Sequence, residues 1–73
     1  MAEPTYRKGH YVATVFTEQF DNGQFQGMVS MERADKANSA ELHRAEAFSS
    51  SRTEAFEEAH ALAHRLLAQV EDV

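Results

Sequence analysis

The chain has 73 residues, no cysteine, 42% apolar and 26% charged residues, and a net charge of −5. That length has room for one small domain, and the composition excludes disulfide staples, thiol chemistry and a disordered or collagen-like chain. No apolar run reaches the roughly 18 residues of a membrane span, and Met1-Ala2-Glu3-Pro4 lacks the basic-then-apolar pattern of a secretion signal, so a cytoplasmic setting is expected.

Residues 1–9, with Pro4, Gly9 and the Arg7-Lys8 pair, show no sustained periodicity and are expected to form a flexible lead-in to a single domain spanning residues 10–73. From His10 to Gln19 the sequence is rich in β-branched and aromatic residues. Alternation places Val12, Thr14, Phe16 and Phe20 on one face, which predicts a strand. Asp21-Asn22-Gly23 follows, and Asn-Gly is the preferred pair for a two-residue type I′ hairpin. A second strand is predicted from Gln24 to about Arg33.

If Asn22 and Gly23 are the whole loop, opposed residues have numbers that sum to 45. Phe20 then meets Phe25, Phe16 meets Val29 and Thr14 meets Met31, which makes their face the buried one. A longer loop that includes Asp21 shifts the pairing and can reverse the buried face.

Residues 33–40 are small and polar and read as a connector. A third strand is predicted over Glu41–Ser49, with Leu42, Arg44, Glu46 and Phe48 on one side and His43, Ala45 and Ala47 on the other. Its composition is also compatible with a short helix. Ser51 with Glu54 is a capping box, and Phe56, Ala59, Ala63, Leu66, Leu67 and Val70 recur at helical spacing, predicting an amphipathic helix of about nineteen residues. Glu71 and Asp72 stand at the negative end of its dipole, so the last turn is expected to fray.

The predicted architecture is α+β: a three-stranded antiparallel sheet, β-β-β-α, with one C-terminal amphipathic helix packed on one face. One helix covers one face of such a sheet, and the other must meet solvent or a partner. Under the two-residue loop that uncovered face offers Tyr11, Val15 and Met28, with His43 from the third strand. Small domains without disulfides commonly self-associate, so a homodimer or a protein partner on this face is expected.

Charge is uneven along the chain. Residues 45–73 hold Arg52 and Arg65 against six acidic groups, whereas residues 1–44 hold five basic and six acidic groups. An acidic segment repels phosphate backbones, which weighs against general nucleic-acid binding. Arg7, Lys8, Arg33 and Arg44 are the candidates for a basic patch elsewhere.

Reactive chemistry is poorly represented. His60 and His64 share a helix face, yet Ala61 stands where the zinc-protease helix motif has glutamate, and no further ligand is implied. Ser49, Ser50 and Ser51 with His43 and Glu46 supply the residue types of a hydrolase triad, but no strained Gly-x-Ser-x-Gly turn presents a nucleophile. No enzymatic activity, cofactor or metal is expected.

Ser51-x-Thr53-Glu54-Ala55-x-Glu57-Glu58-Ala59, after the predicted hairpin, resembles the helix start of the HicB-like antitoxin domains, small bacterial units of β-β-β-α order. The resemblance spans about 50 residues and implies a regulatory role, with Arg33–Ala40 replacing that group's proline- and glycine-containing segment. The strand order also resembles the double-stranded-RNA-binding fold. Its first helix has no counterpart here, and Glu54, Glu57 and Glu58 replace the basic helix start that contacts phosphate.

Overall fold

The computed structural model describes residues 4–70. Four strands, β1 (Thr5–Lys8), β2 (Tyr11–Gln19), β3 (Phe25–Arg33) and β4 (Glu41–Ser49), precede one helix, α1 (Arg52–Gln69). The sheet is an antiparallel meander in the order β1-β2-β3-β4, with α1 across one side of it. The α+β class and the C-terminal helix agree with the sequence, but the sheet has four strands, not three.

The additional strand lies in the expected lead-in. Lys8 pairs with Tyr11, so Gly9-His10 is a two-residue turn, and Gly9 has a φ of 59°. Glycine at the first turn position is the type II′ hairpin preference. Thr5–Lys8 is therefore held on β2, and the Val15 amide donates to the Pro4 carbonyl at 3.0 Å. Met1 to Glu3 of the lead-in, and Glu71 and Asp72 of the expected frayed turn, lie outside the described residues.

The β2–β3 register also departs from expectation. Opposed residues sum to 44: Val15 meets Val29, Phe16 meets Met28 and Gln19 meets Phe25. The Gly23 amide donates to the Phe20 carbonyl at 2.9 Å and the Phe20 amide to the Gln24 carbonyl at 2.8 Å, so the loop is Asp21-Asn22-Gly23. Gly23 alone of these has positive φ, at 82°. That is a type I turn closed by a left-handed glycine, the usual three-residue hairpin loop. Asn22 instead uses its side-chain oxygen to accept the Gln24 amide at 3.0 Å.

Because the strand period is two, this shift of one residue turns β2 over relative to β3: Val29 and Met31 are buried as expected, but the β2 residues that join them are the other set. Ala13, Val15, Val29 and Met31 are buried with Ala59, Ala63 and Leu67 beneath the helix, flanked by Tyr6, Tyr11, Phe56, Leu62, Leu66 and Val70. The expected buried set of Val12, Thr14, Phe16 and Phe20 lies on the opposite side.

Helix α1 forms as the sequence predicts. The Ser51 hydroxyl accepts the Glu54 amide at 3.4 Å, satisfying one of the free donors of the first turn. Its sheet-facing line is Ala55, Ala59, Ala63 and Leu67, all buried. Three alanines at intervals of four let the helix approach closely, and β3 answers with Gly27. A Cβ there would strike the Ala55 carbonyl oxygen and come within 2.8 Å of the Ala59 nitrogen and 2.9 Å of the Ala59 Cβ. No flexible side chain can yield, since the obstacles are helix backbone and the first carbon of a side chain.

Gly27→Ala is expected to destabilise the domain by about 3 kcal/mol, at the upper end of overpacking. Gly23→Ala, with open space around it but a left-handed backbone, is expected to cost only about 1–2 kcal/mol. Urea unfolding of the two variants beside the wild type checks the ranking.

Candidate functional site

The open side of the sheet follows from the register. Even-numbered residues of β2 and β3 face away from α1, which brings Thr14, Phe16 and Glu18 of β2 beside Ser30, Met28 and Gln26 of β3, and these beside Leu42, Arg44 and Phe48 of β4. Phe20, just past β2, stacks edge-on against Phe48 with ring centroids 5.4 Å apart. Leu42 and Phe48 are the exposed large apolar residues, each 53% accessible.

Polar groups in the middle of this face are mutually satisfied. Gln26 is buried; its amide donates to the Ala45 carbonyl at 2.8 Å, and its oxygen accepts from Arg44 at 3.4 Å. Arg44 also lies over Met28, 3.8 Å from the sulfur, and 3.7 Å from the Glu18 carboxylate. The long arginine covers the thioether while its head stays in water. These contacts sit at an irregularity: between the Met28–Arg44 and Gln26–Phe48 pairs, β4 has two residues more than β3. The Gln26 side chain supplies a hydrogen bond where ladder pairing lapses.

The four residues expected on the uncovered face are separated. Val15 is fully buried under the helix. Tyr11 is also on the helix side, at the end of the core, with the Arg33 guanidinium 5.5 Å from its ring centroid. The cause in both cases is the three-residue loop. Met28 does face the open side, but it is 1% accessible. His43 lies on the helix side of β4, its Nε2 3.6 Å from the Glu41 carboxylate. Tyr11 and His43 do share one feature, an open groove of about 800 Å³ between the β3–β4 connector and the C-terminal half of α1, also lined by Met31, Lys36, Leu66 and Val70.

The four basic candidates are likewise not brought together. Arg7 and Arg44 are on the open side but on opposite outer strands, while Lys8 and Arg33 have the parity of the helix side. Arg33 grips Asp35 through two hydrogen bonds of 3.1 and 2.9 Å. Those bonds hold the Asp35 carboxyl below its ordinary range.

Ser51 is engaged as the helix cap, and His43 and Glu46 have opposite parity on β4, so the residue types of a triad do not converge. Around His60 the Tyr6 hydroxyl lies 2.8 Å from Nε2 and 3.1 Å from Nδ1. The Tyr6 ring also packs on His64 at 5.4 Å, and Phe56 on His60 at 5.0 Å. Among the described residues no three His, Cys, Asp or Glu side chains form a metal-sized group. The histidine pair thus meets the first strand, fastening β1 to the helix.

Comparison with protein-family models, curated proteins and solved structures finds no match. Geometry alone therefore bears on function. Of the residues that sequence reasoning missed, Phe16 and Phe20 had one readable signal, Asp21 as part of the loop, which turns them outward, whereas the side taken by Leu42 and Phe48 follows from the β3–β4 pairing. Among the described residues no helix is long and apolar enough to cross a membrane.

Tyr6→Ala is expected to release β1 from α1. Hydrogen exchange should then quicken at the Val15 amide, which donates to Pro4 just before β1, while the Phe16 amide, turned toward β3, keeps its protection. Equal change at both would show that β1 is not a separate unit.

Proposed function

We propose that this chain is a small, non-enzymatic protein-interaction module that self-associates through the open side of its sheet. The observation that carries this reading is the placement of Phe16, Phe20, Leu42 and Phe48 on a side that no described element covers, with the two most accessible of them on the outer strand β4. Apolar groups gathered at one margin of an open sheet gain most by burial against a second apolar surface. A second copy of the chain offers that surface.

The net charge of −5 does not oppose self-association here, because the open side carries Arg7 and Arg44 as well as Glu18 and Glu32, and both signs meet at the contact. A chain of this length without cysteine also gains stability from an added interface. A nucleic-acid role has less support: the cationic groups are dispersed, and Arg33 and Arg44 each stand against a carboxylate. Phosphate binding draws on clustered cations.

Sedimentation equilibrium over a range of concentrations is expected to give a mass of twice 8.2 kDa. Phe48→Asp is expected to shift the equilibrium toward monomer with an unchanged far-ultraviolet circular dichroism spectrum. A wild-type chain that stays monomeric at millimolar concentration overturns the reading.

A further inference from the structure

We propose that two copies of this chain pair antiparallel along the outer edges of their β4 strands, with the two-fold axis at Ala45, joining two four-stranded sheets into one of eight. This rests on the self-association proposed above and places the contact at the β4 margin of the open side, where Leu42 and Phe48 lie, and not between the two faces.

Strand β4 is nine residues long and ends the sheet on its side. Its backbone groups divide cleanly. The Val15 amide points to β1, and the Phe20 amide points to β3, so along β2 the even residues bond β3. Antiparallel alternation then turns the odd residues of β3 toward β4, pairing Val29 with His43 and Met31 with Glu41 by hydrogen bonds. Leu42, Arg44 and Phe48 are left with their N–H and C=O groups pointing outward. At the irregularity the Ala45 carbonyl accepts from the Gln26 side-chain amide, and since Arg44 and Phe48 on either side both pair as outward-pointing residues, Glu46, midway between them, is taken as outward too.

The edge is self-complementary about Ala45. With the axis there, paired residue numbers sum to 90: Arg44 meets Glu46 twice, and Leu42 meets Phe48 twice. All four are exposed, and Leu42, Arg44 and Phe48 stand beside open-side residues of β3. Opposite charges directly across a strand pair attract, and apolar pairs bury each other. The neighbouring symmetric registers fail on charge, because an axis at Arg44 sets the arginines against each other and an axis at Glu46 sets glutamate on glutamate. Asymmetric shifts by one residue place the apolar groups on opposite sides. Charges on an outer strand ordinarily discourage pairing; here their arrangement admits one register. An isologous contact of this kind closes as a dimer and leaves no further β4 edge to recruit a third copy.

The chain has no cysteine, which makes cross-linking selective. In the proposed register Ala45 faces its own copy across a non-hydrogen-bonded pair, with Cα atoms about 4.5 Å apart, within disulfide reach. Ala47 faces His43 of the other copy, so two copies of position 47 are separated by about 13 Å. Ala45→Cys is therefore expected to oxidise to a covalent dimer and Ala47→Cys to remain reduced, although Ala45 is buried and Ala47 exposed. Cross-linking governed by accessibility alone gives the reverse order and overturns the proposal.

As a second test, independent of cysteine, Glu46→Arg is expected to weaken dimerisation at least about tenfold, and adding Arg44→Glu to restore it to within about threefold. If the wild type dimerises but Glu46→Arg has no effect and Phe16→Lys breaks the dimer, the sheets meet face to face. The β4 register is then wrong while self-association stands. A wild type that never dimerises removes both.

Discussion

The left-handed backbone at Gly23 decides which side of this sheet the helix covers. A three-residue loop, closed by the Gly23 amide on the Phe20 carbonyl, sets β2 against β3 in a register where Val15 opposes Val29. That pair and its neighbours Ala13 and Met31 become the floor of the core. The same turn sends Phe16, Phe20 and Met28 to the other side. A loop shorter by one residue would turn β2 over against β3, setting Phe16 opposite Val29 and Val15 on the side of Met28, because adjacent strand residues point in opposite directions.

The close approach of α1 follows from that choice. The side of β3 that meets the helix carries Gly27, and the helix answers with Ala55 and Ala59, so backbone packs near backbone. Small residues at the centre leave the larger ones to close the margins: Tyr6 with His60 and His64 along β1, and Leu62 and Leu66 elsewhere around the core. The helix thereby covers its side of the sheet, apart from the open groove beside the β3–β4 connector. Opposite Gly27, β4 carries two extra residues, and Gln26 reaches across to the Ala45 carbonyl. The outer strand is tied there by a side chain where its ladder lapses.

Much of this was legible in the residues. Alternation marked β2 and β3, the serine and glutamate of the capping box marked the start of α1, and the run of alanine and leucine at helical spacing named most of the helix side of the core. The pattern along β4 separated Leu42, Arg44, Glu46 and Phe48 from His43 and Ala45, as observed. Gly9-His10 was a turn signal of the type II′ kind, but the four residues before it lack a pattern of their own. Strand β1 is held on β2 through the Gly9-His10 turn and fastened to α1 by Tyr6, which finds His60 across 54 positions of chain. A local reading cannot see that contact.

Side-chain periodicity, turn residues and a helix cap thus determine which segments are strands and which is the helix, since each acts within a few residues. They also name two alternating sets on the β2–β3 hairpin without ranking them, because both carry apolar groups. Only packing chooses between the sets. The turn closes on Gly23, the helix settles where Gly27 and Ala59 allow backbone to approach, and the aromatic set is left facing outward. A one-residue difference in loop length carries a small local energy and a large tertiary consequence, so that choice belongs to the folded molecule.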